Sequence, residues 1–188
     1  MDHLAAIAKA LDLEQNARPT ELWNPPFSGD LDIRIAGDGT WYYLGSAIGR
    51  RSLVKLFSSV LRRDPDGKFY LVTPVEKVGI TVDDAPFVAV DMKLAGNGPD
   101  QVIGLRTNVD DAVVVDNEHP LRFAQDAAND ALKPYVLVRG GLEAVVNRAV
   151  FYDLVDAGTT ADVAGEPWYG VWSCGRFFAM CKAEELDF

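Results

Sequence analysis

Few side chains in this sequence can do acid, base, nucleophilic or metal chemistry. There are two histidines, His3 and His119, and two cysteines, Cys174 and Cys181. A Ser/His or Cys/His pair needs an imidazole base, but His3 falls in a terminal stretch and His119 in a loop before Pro120. Both read as solvated histidines. No HExxH, CxxC or paired-His spacing offers a metal site. Asp64-x-Asp66-Gly67 opens like a calcium loop but lacks the remaining ligands and the closing Glu, so it reads as a turn. The adjacent acids Asp83/Asp84 and Asp110/Asp111 read as solvated turn formers. No catalytic residue, metal or cofactor is assigned.

The arginines carry more information. Gly45-x-x-x-Gly49-Arg50-Arg51-Ser52 is one residue short of a phosphate loop and has no lysine, which excludes a nucleotide triphosphatase. Arg50 and Arg51 nevertheless precede an apolar-periodic segment, where a helix dipole disfavours cations by roughly 0.3 to 1 kcal/mol each. A phosphate or carboxylate bound there offsets that repulsion. Arg139-Gly140-Gly141 repeats the arrangement before a second expected helix. The expected anion site therefore uses Arg34, Arg50, Arg51 and Arg139 for charge, Thr107 and Asn108 for hydrogen bonds, and Trp41 as a stacking face. The competing reading pairs the arginines with acids of the C-terminal half and buries Trp41, Trp168 and Trp172 in the core.

These residues must be positioned by mixed elements. Leu4, Ile7, Ala8 and Leu11 predict a short amphipathic helix over 3–14. Leu31, Ile33 and Ile35 alternate with polar residues as a strand, Gly37-Asp38-Gly39 turns it, and Trp41 to Leu44 returns. Apolar residues at 53, 56, 57 and 60 mark a helix that 64–67 ends, with Arg62 and Arg63 at its C-terminal end. Strands are expected at 68–73, 78–82, 86–94, 101–107, 111–115 and 134–138. Gly140-Gly141 is read as opening a long helix along Leu142, Val145, Val146, Ala149 and Val150, stopped by Gly158. A closing hairpin turns at Cys174-Gly175, which puts Cys181 on the order of 20 Å away and forbids a disulfide. Residues 41–73 and 135–181 read as a diverged duplication.

The chain has 188 residues, enough for one compact body or two small lobes. Expected divisions are 1–80, the N-terminal helix plus a first α+β lobe, and 81–188, a β-rich lobe with one long helix. Residues 1–80 carry 10 acidic and 10 basic side chains, and 81–188 carry 18 and 8, so the second lobe holds the whole net charge of -10. Generic nucleic-acid binding is therefore not expected. No apolar run approaches the roughly 18 to 20 residues that cross a bilayer, and the N-terminus lacks the pattern of a signal peptide. A cytoplasmic protein without membrane insertion is expected; its two scattered cysteines fit a reducing compartment.

Several motifs occur together: Asp32-Ile-Arg-Ile35, Gly39-Thr-Trp41, Gly45-Ser-Ala-Ile-Gly-Arg50 running into Leu53-Val-Lys-Leu-Phe-Ser58, Leu71-Val-Thr-Pro-Val-Glu-Lys77, Thr107-Asn108, Asn147-Arg-Ala-Val-Phe-Tyr152 and Gly170-Val-Trp-Ser173. Together they resemble a bacterial family known as domain of unknown function 1285. Ala47 stands where that family is expected to have proline. The resemblance implies an α+β fold with a duplicated core and a C-terminal part similar to pleckstrin-homology-like domains. It also implies signalling roles and a nucleotide-like ligand between the halves.

The fold expected from all this is α+β: a duplicated strand-turn-helix-strand core with antiparallel sheets, a pleckstrin-homology-like C-terminal half and a short N-terminal helix. The function expected is a non-enzymatic small-ligand-binding or regulatory module for an anionic, nucleotide-like ligand. One alternative is an enzyme using Glu76 and Lys77 as acid and base. Another is a protein-interaction module that docks an acidic partner on sheet edges or on a basic helix face of Arg51, Lys55 and Arg62.

Overall fold

The structure, a computed structural model, describes residues 18–126 and 131–185, so the expected helix over 3–14 lies outside the described residues. Among the described residues the fold is mostly sheet with two α-helices. The chain divides into two compact units, one of Met1–Pro86 with Gly140–Leu142, the other of Phe87–Arg139 with Glu143–Phe188.

In the first unit β1 (Phe27–Ile35), β2 (Trp41–Tyr43) and β3 (Ser46–Ala47) form one meander. Helix α1 (Arg51–Ser59) leads to a second meander of β4 (Leu61–Arg63), β5 (Phe69–Val72) and β6 (Lys77–Val82). The two join through a parallel pairing of β1 with β6, giving the order β3-β2-β1-β6-β5-β4. Ile33 and Ile35 on β1, Trp41 on β2, Phe57 on α1 and Leu71 on β5 are all at most 1% exposed and belong to the core.

The second unit repeats that plan. β7 (Phe87–Ala95), β8 (Val102–Thr107) and β9 (Ala112–Val114) form one meander. Strands β10 (Leu121–Gln125), β11 (Leu132–Arg139) and β12 (Leu142–Val146) follow, and β12 pairs parallel with β7. The order β10-β11-β12-β7-β8-β9 is that of the first sheet, with each strand number raised by six. Helix α2 (Arg148–Asp156) and a separate antiparallel sheet of β13 (Thr159–Val163), β14 (Glu166–Ser173) and β15 (Arg176–Lys182) complete the unit.

The core is thus duplicated, but not in the frame that pattern reading suggested. The repeated unit is the six-stranded sheet, spanning 27–82 and 87–146, rather than 41–73 matched with 135–181. The helix lies between the two meanders in the first copy and after the completed sheet in the second. Nor are the two six-stranded sheets purely antiparallel, since each includes one parallel pair.

Two element assignments change for local reasons. The segment Leu142–Val146 is a strand whose residues 142, 144, 145 and 146 are all buried. Such a run covered on both faces has no period that separates it from a buried helix. Gly140 and Gly141, with φ of 50° and 76°, make the two-residue turn from β11 to β12 instead of opening a helix. Arg62 and Arg63 sit on β4, opposite Tyr70 and Phe69, and not on α1, which ends at Ser59. The turn at Cys174 (φ 52°) and Gly175 (φ 73°) and the strands on either side stand as expected, and both cysteines are free thiols. Gly158 follows α2 as expected, but its role is space: a Cβ there would lie 2.6 Å from the Tyr169 ring.

Candidate functional site

Four of the seven expected anion-site residues lie in the first unit. Arg34 is exposed between Ile33 and Ile35, while Trp41 is register partner to Ile35. Directly paired residues share a face and successive residues alternate. Arg34 and Trp41 therefore point to opposite sides of the sheet and cannot hold one ligand. The Arg34 guanidinium packs 4.7 Å from the centre of the Tyr42 ring and binds Asp83, Nη1 to Oδ2, at 2.5 Å. Trp41 is 1% exposed and stacks on Phe57 at 6.3 Å, so its faces are spent on the core; its indole Nε1 is buried without a hydrogen-bond partner.

Arg50 is the N-cap of α1 in extended conformation, with no side-chain cap and no acid in the first turn. Its carbonyl accepts from the Leu53 and Val54 amides at 3.0 and 3.2 Å. Arg50 and Arg51 are both exposed.

The other three gather at the β8–β9 turn, where they build structure. Thr107 is fully buried, and its Oγ1 accepts from the Val109 and Asp111 amides at 3.4 and 3.1 Å. Asn108 Oδ1 accepts from the Val88 amide at 3.0 Å, and the Asn108 amide donates to Val88 O at 2.8 Å. The two bonds extend the ladder past a bulge in the β7–β8 register. Arg139 lies 4.9 Å over the Phe87 ring, with Nη1 3.4 Å from Asp111 Oδ2. For Arg34 and Arg139 the ion-pair reading accounts for the side chain.

The acid and base considered at Glu76 and Lys77 are separated by function. The Glu76 amide donates to Thr73 Oγ1 at 3.1 Å in the β5–β6 turn. Lys77 Nζ pairs with Asp64 Oδ2 at 3.1 Å and lies 4.6 Å over the Tyr70 ring. Asp64 also receives Arg62 Nε at 2.5 Å, and Arg62 Nη1 donates to the carbonyls of Thr20 and Trp23, each at 2.7 Å. Burial pushes the Asp64 carboxyl up, but its hydrogen bonds from Arg62 and Lys77 outweigh that and hold it below the usual range. Tyr70 donates to Asp66 at 2.6 Å, and this bond is the main reason its pKa is pushed up to about 12. Arg62 is committed to this network, so the basic face expected from Arg51, Lys55 and Arg62 does not form on α1.

A place shaped for a small molecule lies elsewhere. A groove of about 490 Å³ lies beside α2, walled by Pro134 on β11, Val145 and Val146 on β12, and Phe151 and Tyr152 on α2. Arg148 and Lys133 also line it. Asn147 caps the helix, its Oδ1 accepting from the Val150 amide at 2.9 Å. Residues 148, 151 and 152 then share one helix face at the i, i+3, i+4 spacing. None of them was among the expected site residues. Their signal is the motif Asn147-Arg-Ala-Val-Phe-Tyr152, which pattern reading places inside the helix expected to open at Gly140-Gly141.

Among the described residues no group of three or more His, Cys, Asp or Glu could hold a metal ion. No helix among them is long and apolar enough to cross a membrane.

Residues 18–85 match the N-terminal domain, and residues 86–180 the C-terminal domain, of a family described as a protein of unknown function, DUF1285. The chain is similar to the crystal structure of a DUF1285 family protein from Silicibacter pomeroyi DSS-3, at 51% identity, with 99% of this chain and 98% of that one covered and a TM-score of 0.91. It is also similar to a DUF1285 family protein from Shewanella baltica OS155, at 30% identity over 66% of this chain and 91% of that one, with a TM-score of 0.53. No curated protein matches it.

Proposed function

The chain belongs to the DUF1285 family, and from that premise we propose that it is a non-enzymatic ligand-binding and regulatory module whose ligand is a small organic anion held in the groove beside α2. The observation that carries this reading is the groove itself. Its volume of about 490 Å³ lies within the roughly 300 to 1,000 Å³ usual for small-molecule sites. Its walls are aliphatic and aromatic, and an exposed arginine stands at its edge. The start of α1 offers less: a helix N-terminus and two exposed arginines, with nothing else aimed at a ligand. The likeness to pleckstrin-homology-like domains enters this proposal as a likeness of use: a sheet-built body that presents a ligand beside its helix.

Titration of ¹⁵N-labelled protein with 8-anilinonaphthalene-1-sulfonate, followed by two-dimensional NMR, tests the placement. Saturable shifts of the amides of Lys133, Val146, Phe151 and Tyr152 are expected. Saturable shifts confined to residues 50–53, or none anywhere, would overturn it.

A further inference from the structure

Resting on the groove as a ligand site, a count of its charges and donors narrows what it takes. The ionised side chains among the described residues lining it are Asp126, Lys133 and Arg148, which leave one positive charge. Lys133 Nζ is paired with Asp126 Oδ2 at 3.1 Å. Arg148 is different. Its Nε donates to Tyr152 Oη at 2.8 Å. Among the described residues its Nη1 and Nη2 make no hydrogen bond or ion pair.

Because the tyrosine oxygen accepts from arginine, its own hydrogen is left to donate outward. The guanidinium fork and the phenol together offer three donors at one edge of an apolar groove. A planar two-oxygen acceptor matches the fork bidentately. We propose that the groove takes a monocarboxylate carried on a flat apolar body, its head group on Arg148 and Tyr152 and its body against Phe151, Pro134 and Val146. A nucleotide di- or triphosphate brings about three or four charges, at least two of which would go unmatched beside Asp126, in the half of the chain that carries the acidic excess. This narrows the nucleotide-like ligand expected from the resemblance to a singly charged one.

The test is isothermal titration of the full chain with 2-naphthoate, its uncharged isostere 2-naphthamide, and ADP. The expected result is one site for 2-naphthoate, at least tenfold weaker binding of 2-naphthamide, and no displacement by ADP. Arg148→Gln is expected to weaken 2-naphthoate at least tenfold and Tyr152→Phe about threefold, with Arg148→Lys between wild type and Arg148→Gln, since it keeps the charge and loses the fork. Equal binding of the amide, or an Arg148→Gln variant that binds 2-naphthoate as wild type does, overturns the proposal. Tighter binding of ADP at the same residues overturns the monocarboxylate and leaves the groove as a ligand site. If none of the three binds, and 8-anilinonaphthalene-1-sulfonate also shifts no groove amide, the ligand site falls as well.

Discussion

Among the described residues each unit carries one nine-residue helix, and the two begin on different chemistry. α2 starts at Asn147, whose side chain satisfies the Val150 amide, while α1 starts at Arg50 with no side-chain cap and an arginine as its first helical residue. Both nonetheless place an arginine at their first helical position, Arg51 and Arg148. An arginine at a helix start is therefore not in itself a mark of a ligand. What separates the two is the surroundings. Arg148 stands at the edge of a groove with a tyrosine one turn further on, whereas α1 is anchored from its other end by buried Phe57 and Ser58.

The largest effect separating the two units should come from aromatic residues of opposite kind. Trp41→Ala empties a site in the first unit that is 1% exposed and stacked on Phe57, and should destabilise by about 3 to 5 kcal/mol. Tyr152→Ala removes a ring that is 52% exposed and should change stability by no more than about 0.5 kcal/mol. Urea melts of the two variants give the comparison directly, and similar losses would mean that Tyr152 belongs to a core.

Next in size is the Asp64 network of the first unit. Asp64 and Arg62 keep only 15% and 16% of their side chains exposed, so Asp64→Asn should destabilise by about 3 kcal/mol by leaving Arg62 and Lys77 uncompensated. Its folded pKa is depressed, so its contribution is present above the unfolded value of about 3.9 and is lost as pH falls through the folded value. Acid titration of stability should be shallower in the variant. Tyr70 runs the other way: with its pKa raised to about 12, its contribution is whole below about 10 and lost as pH rises toward 12. Tyr70→Phe should remove that alkaline loss, as read from melting temperature between pH 9 and 12.

The smallest pair compares the helix starts themselves. Asn147→Ala should cost about 1 kcal/mol by removing the cap. Arg50→Gln should leave the ligand-free protein unchanged or more stable by up to about 1 kcal/mol, since an unfavourable dipole contact goes. A clear loss of stability in that variant would mean that Arg50 holds a structural partner.

The strands that alternate or carry strong turn signals were legible in the sequence. β1, β2 and the β14–β15 hairpin are read from Ile33/Ile35, the glycines at 37 and 39, and Cys174-Gly175. β3 and β4, of two and three residues, are too short to show a period. β12 was misread because its residues are buried on both faces, although Gly140-Gly141 before it was itself a hairpin signal. That one error carried through to the site. Reading a single helix from Gly140-Gly141 to Gly158 puts Asn147 inside it rather than at its start, and hides the strand whose Val145 and Val146 wall the groove. Thr107 and Arg139 are expected site residues, but in the structure Thr107 serves the β8–β9 turn and Arg139 packs on Phe87 beside Asp111. The partners of Arg139 are distant in sequence and leave no local spacing to read, whereas those of Thr107, Val109 and Asp111, are local to the turn.

The measurement that most directly tests where the anion goes is the thermal shift produced by 2-naphthoate in wild type, in Arg148→Gln and in the Arg50→Gln/Arg51→Gln double variant. At about 100 times its dissociation constant a ligand bound to the folded state should stabilise it by roughly 2.7 kcal/mol. The groove account predicts that the double variant keeps this shift in full and that Arg148→Gln, at the same ligand concentration, loses about half of it or more. A shift that survives in Arg148→Gln and disappears in the double variant would contradict it and place the anion at the start of α1.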